Sequence, residues 1–100
     1  MNTVSLKLVT VITERILKDR LTEAIRSFGA KGFTLTDTSG EGSRGVRASE
    51  WEGHNVKIET VVSASVANTI LEHISEHYFK HHAVIVYTQD IQVVRGDKYI

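Results

Sequence analysis

The sequence predicts an α+β domain in which strands and helices follow one another in the order βαββαβ. Two observations lead to this prediction. Four short segments are rich in apolar and β-branched residues, as strands are, and apolar residues recur with helical spacing in two further segments. At 100 residues the chain is the size of one domain, which we expect to span residues 1–100. The expected fold is the ferredoxin-like antiparallel sheet with two helices on one face.

The first half of the chain supplies a strand, a helix and a second strand. Residues 3–12 are rich in β-branched side chains and alternate in polarity, which is typical of a strand. Thr13 is a candidate N-cap for a helix that runs to about Phe28, and Gly29 stands where a C′ glycine would end it. Residues 32–38, rich in threonine, predict the second strand.

The second half repeats this pattern from residue 55 onward. Residues 55–63 alternate as a third strand, and Ser63 or Ser65 can cap a second helix. Residues 83–88 predict a fourth strand, and residues 91–95 a short fifth one. Because much of the fourth strand is apolar on both sides, we expect self-association to cover the second face of the sheet.

Composition excludes several classes of protein. Twelve basic residues balance twelve acidic ones, so no overall positive charge attracts nucleic acid. The chain has no cysteine, which excludes thiol nucleophiles and disulfide scaffolds. The N-terminus does not resemble a signal peptide, and no apolar run is long enough to cross a bilayer. We therefore expect a cytoplasmic protein.

A long loop is predicted at residues 39–54, where four of the seven glycines fall. Glycines let neighbouring backbone amides point at one anion, and hydroxyl and guanidinium groups add further donors for phosphate. The alternative is a flexible, solvated turn whose arginines only keep it soluble. The residues of the candidate phosphate cradle are Gly40, Gly42, Ser43, Arg44 and Arg47.

Two other features allow both a functional and a structural interpretation. Trp51 is either an anchor for a protein partner or a side chain that packs on its own domain. His73 and His77 share a helix face and could chelate a metal ion, but solvated histidines near a helix end explain them more simply. No set of residues has the spacing of a catalytic site, so we expect no catalytic residue, no metal site and no enzyme.

The chain resembles the PII-like signal transduction proteins over nearly its whole length. It is most similar to the members associated with carboxysomes and to the regulator of a bicarbonate transporter. The glycine–serine–arginine segment of the loop is the most specific part of the resemblance. The segments that carry it are Lys7–Val9, Ile12–Glu14, Gly29–Thr34, Gly40–Arg44 with Val46 and Arg47, Val56–Glu59 and Tyr78–Phe79.

This resemblance implies a homotrimer that binds adenine nucleotides in the clefts between its subunits. The adenine would rest near Thr34, Val61 and Val62, the cradle would wrap the phosphates, and Arg95 would reach the same phosphates. The connector at residues 80–82 lacks the glycines that help typical members to hold ATP. We therefore expect AMP, ADP or cyclic AMP to be favoured over ATP, as regulatory ligands rather than as a resident cofactor.

The implied function is signalling linked to bicarbonate uptake or carboxysomes. Nucleotide binding, and bicarbonate as a further candidate ligand, would order the loop 39–54, the T-loop of that family. The ordered loop would then act on a partner, such as a membrane bicarbonate transporter or a carboxysome-related protein. The alternatives of the same topology are a small phosphohydrolase, an RNA-binding module and a metal-binding trimer.

Overall fold

A computed structural model describes residues 1–40 and 54–100 of the chain. The helices and strands occur in the predicted order, with a short 3₁₀ turn before the first helix and another after the last strand. Within the described residues the elements are β1 (Thr3–Glu14), a 3₁₀ turn (Arg15–Leu17), α1 (Lys18–Ser27), β2 (Thr34–Thr38), β3 (Asn55–Val62), α2 (Ala64–His77), β4 (Val84–Val94) and a C-terminal 3₁₀ turn (Gly96–Tyr99).

The described strands form one antiparallel sheet in the order β2-β3-β1-β4. Val11 of β1 lies opposite Ile58 of β3 and Val86 of β4, and this register sets which side chains share a face. Residues 9, 11 and 13 of β1 face the helices, and residues 8, 10 and 12 face away from them. The sheet with two helices on one face confirms the predicted ferredoxin-like fold.

The core lies between the sheet and the two helices. Buried side chains come from both layers, and the largest contributions are aliphatic, as expected for close packing. Its members are Val9, Val11, Leu17, Leu21, Ile25, Ala30, Val56, Ile58, Val62, Ala67, Ile70, Ile74 and Tyr78, with Val84 and Val86 of β4 packed against them.

Two of the three predicted helix ends are confirmed. Gly29 has a φ of 113°, and the amides of Gly29 and Ala30 donate to carbonyls in the last turn of α1, which completes a Schellman motif. Ser63 caps α2, since its hydroxyl accepts the Val66 amide at 3.3 Å. The prediction for Thr13 is wrong. This residue stays in β1, and its hydroxyl donates to the carbonyl of Ala83 at 3.0 Å.

The separate fifth strand is also a wrong prediction, because residues 91–94 continue β4. The two polar residues between the predicted strands, Gln89 and Asp90, lie in an edge strand where polar side chains are tolerated. Pairing with β1 continues through them, and Lys7 forms an ion pair with Asp90. None of the helices described is long and apolar enough to cross a membrane.

Candidate functional site

A hollow of about 400 Å³ lies at the edge of the sheet where β2 leaves β3. The pairing of these strands ends with Thr34 opposite Glu59, and the chain before Thr34 diverges. The segment 60–62 of β3 therefore lies beyond the end of β2. We call this space the β2–β3 hollow, and it is lined by Leu8, Gly32, Phe33, Thr34, Glu59, Thr60, Val61 and Tyr99.

Local contacts fix the shape of the β2–β3 hollow. The buried Thr60 hydroxyl donates to the Gly32 carbonyl at 2.6 Å, which ties the segment before β2 to β3. The guanidinium carbon of Arg26 lies 5.1 Å from the centroid of the Phe33 ring, within cation–π distance. Together these two contacts position Gly32 and Phe33, which form one wall of the hollow.

The lining combines apolar walls with a polar edge. Val61 lies directly opposite Leu8 in the β1–β3 register, so their side chains share the face that points away from the helices. Thr34 and Glu59 are a cross-strand pair on that same face and bring a hydroxyl and a carboxylate together. An arrangement of this kind suits a flat heteroaromatic group, which has apolar faces and a polar edge.

The predicted base-binding residues fall at this hollow, but they contribute differently. Thr34 and Val61 line it. Val62 is 1% exposed because the strand alternation turns its side chain into the helix-facing core. Val62 therefore does not line the hollow.

The predicted phosphate-binding residues are farther away. Gly40 follows the end of β2 that is remote from Thr34, and it does not line the hollow. Arg95 is exposed just after β4 and does not line it either. The remaining predicted positions lie outside the described residues: Gly42, Ser43, Arg44, Arg47 and the partner-binding candidate Trp51.

Sequence reasoning missed five side chains of the hollow as candidate site residues: Leu8, Phe33, Glu59, Thr60 and Tyr99. Leu8 and Glu59 could have been found, because the period of two places them on the same face as Val61. Phe33 follows a glycine outside any regular element and carries no such signal. Tyr99 depends on a chain reversal after β4 that the sequence pattern does not indicate.

The second face of the sheet carries apolar side chains that the C-terminal turn covers only in part. Ile12 of β1 lies opposite Ile85 of β4, and Tyr87 and Ile91 of β4 lie on the same face. Ile85 is 55% exposed and Tyr87 is 40% exposed. An exposed apolar surface of this kind is typical of protein–protein contact sites.

The histidines pack against aromatic rings. The rings of His73 and His77 lie 4.6 Å apart, and His73 also meets the Phe28 ring edge-to-face at 5.1 Å. Burial lowers the pKa of His73, the charge of His77 lowers it further, and Glu76 acts in the opposite direction. Among the residues that the structure describes, no three potential ligands are grouped as a metal site would require.

Fold and site together define a small α+β domain with a ligand-sized hollow at the edge of its sheet and an uncovered apolar face. Comparison of the sequence with protein families gives the narrower assignment. Residues 6–98 match the nitrogen regulatory protein P-II family. The chain therefore belongs to that family, whose members are regulatory proteins rather than enzymes.

Solved structures of PII-like proteins share this fold. A protein of Thermus thermophilus described as a PII-like signalling protein is 51% identical, with a TM-score of 0.88 and 100% coverage of both chains. CPII from Thiomonas intermedia, in its complex with ADP and bicarbonate, is 28% identical with a TM-score of 0.86, covering 99% of this chain and 98% of that one. Its complex with ADP, AMP and acetate aligns at 27% identity and a TM-score of 0.84, with the same coverage.

Proposed function

We propose that this protein is a regulatory adenine-nucleotide sensor that binds AMP or ADP, with cyclic AMP and ATP as further candidate ligands. The observation that carries the proposal is the β2–β3 hollow, which is lined by Thr34 and Val61 at the position where the family resemblance implies the adenine. CPII, a similar structure, has been solved with ADP and AMP bound.

In this proposal the flat faces and the polar edge of the adenine ring both match the lining of the hollow. Its flat faces lie against the apolar walls, and its polar edge meets Thr34 and Glu59. Pairing with β2 ends at Glu59, and within the segment 60–62 Val61 is the residue that stays partly exposed at this edge. Val62 is buried and does not contact the base in this proposal.

The phosphates run along β2 toward the loop. Thr38 lies four residues along the strand from Thr34, which at the rise of a strand is about 13 Å. In this proposal the phosphates point along β2 toward Gly40 and the other cradle residues. Arg95 lines no part of its own hollow, so in this proposal it reaches the phosphates from a neighbouring copy.

The functional unit is a homotrimer. The uncovered sheet face with Ile85 and Tyr87 is buried against the same face of the other copies, which removes its apolar surface from water. The nucleotide clefts then form between subunits, as the family resemblance implies.

The regulatory output passes through the loop 39–54. Its sequence is rich in glycine and poor in apolar residues, so its ordering entropy has to be offset by a ligand. Phosphate contacts at Arg44 and Arg47 order the loop and change how Trp51 is presented to a partner. The partner is a bicarbonate transporter or a carboxysome-related protein, and bicarbonate is a second ligand, as it is in the ADP complex of CPII.

Calorimetric titration with AMP, ADP, ATP, cyclic AMP and GMP, with and without bicarbonate, tests this function. We expect AMP and ADP to bind, and GMP to bind more weakly. Thr34→Val should weaken AMP binding, whereas Thr36→Val should not, because Thr36 lies two residues along the same strand face and does not line the hollow. A protein that binds none of the adenine nucleotides would refute the proposal.

A further inference from the structure

The C-terminal 3₁₀ turn, Gly96–Tyr99, carries an aromatic ring into the β2–β3 hollow. β4 ends at Val94, and Arg95 then adopts a left-handed conformation with φ 64° and ψ 35°, which reverses the chain. The Lys98 amide donates to the Arg95 carbonyl at 3.2 Å and closes the turn. A non-glycine residue at positive φ is energetically unfavourable. This backbone conformation therefore persists only where the surrounding structure stabilises it.

Gly96 holds the turn directly on β1. It is buried, and a Cβ atom at this position would lie 2.6 Å from the Cβ and 3.0 Å from the Cγ2 of Val4. Carbon atoms do not pack at the shorter of these distances, so the close approach of the turn to β1 requires a glycine. The packing of Gly96 against β1 therefore fixes the position of the turn.

As a consequence, Tyr99 is half-buried and forms part of the hollow's wall with Leu8, Phe33 and Val61. Tyrosine brings a large aromatic face at a low entropic cost, since only two side-chain torsions have to be fixed. A ring at this position offers a stacking surface to any flat heteroaromatic group that enters.

We propose that Tyr99 is a base-binding residue that stacks on the nucleobase of the bound nucleotide. This inference rests on the proposed function, because it assigns a wall of the same site. Stacking on an aromatic side chain uses the face of the base, whereas Thr34 and Glu59 meet its edge. Tyr99 therefore contributes affinity for the base, and the polar pair distinguishes one base from another.

The test is calorimetric titration of AMP into the full-length protein and three variants. Tyr99→Leu keeps an apolar side chain but removes the aromatic face, and should weaken AMP binding roughly 5- to 100-fold. Tyr99→Phe keeps the ring and should retain the wild-type affinity. Lys98→Ala is the matched control, because Lys98 is exposed in the same turn and does not line the hollow.

Ribose 5-phosphate, which has no base, separates stacking from a general loss of the site. It should bind wild type and Tyr99→Leu equally. Unchanged AMP affinity in Tyr99→Leu would overturn the inference, and so would tighter binding, which would mean that the ring competes with the base. In both of these cases wild type still binds AMP and the proposed function stands. If wild type does not bind AMP, the same titrations use ADP, and a wild-type protein that binds none of the adenine nucleotides would refute both proposals.

Discussion

Replacing Gly96 with alanine tests how the C-terminal turn is held against β1. The new Cβ would lie 2.6 Å from Val4 Cβ, whereas carbon atoms ordinarily approach to about 3.5–4.0 Å, so the turn has to move by about 1 Å. Val4 Cβ is bonded to the backbone of a central strand and cannot rotate away. Overpacking of this kind typically costs about 1–3 kcal/mol.

Thermal unfolding at a fixed protomer concentration measures this cost. Each kcal/mol should lower Tm by about 4–8 °C in a domain of this size. Gly32→Ala is the matched control, because a Cβ there meets nothing within 4 Å. We expect its unfolding free energy to stay within about 0.5 kcal/mol of wild type. Gly96→Ala should also weaken AMP binding, since the displaced turn carries Tyr99. The reasoning is refuted if Gly96→Ala has the Tm and the AMP affinity of wild type.

Three further predictions concern stability, pH and assembly. Ser63→Ala removes the cap of α2 and should cost about 1 kcal/mol in thermal unfolding, whereas Ser65→Ala should not, because Ser65 does not accept the Val66 amide. Because folding lowers the pKa of His73, the unfolded chain binds more protons, and the unfolding free energy falls as the pH drops from about 7 to 5. Urea titrations across that range should show a shallower fall in His73→Gln, and an identical slope would contradict this assignment. Ile85→Glu places a charge on the uncovered face and should lower the mass by light scattering from trimer to monomer. Ile16→Glu, at a site 66% exposed and away from that face, should leave it unchanged.

The fold could be predicted because its elements carry strong local signals. The alternation in β1 and β3, the C′ Gly29 and the Ser63 cap each depend on a few neighbouring residues. The sequence predictions were wrong where a contact between residues far apart in the sequence determines the local structure. Thr13 has the chemistry of a cap, but its hydroxyl donates to Ala83 across the sheet. Gln89 and Asp90 separate the two predicted strands, but pairing with β1 carries one strand through them.

The candidate site was predictable only where it follows the strand period. Thr34 and Val61 line the hollow because alternation places them on its face. The same alternation explains why Val62 does not line the hollow, since adjacent strand residues point to opposite faces. Tyr99 could not be predicted, because its place depends on the left-handed Arg95 and on the close contact of Gly96 with β1.

The central claim, that an adenine nucleotide binds at the β2–β3 hollow, is tested most directly by amide NMR shifts during titration with ADP. We expect the largest shifts in the segments 32–34 and 59–62, with saturation at one nucleotide per chain. Amides on the opposite side of the sheet, in the middle of α1, should stay unchanged. ADP binding that leaves both segments unshifted and perturbs another surface would contradict this account.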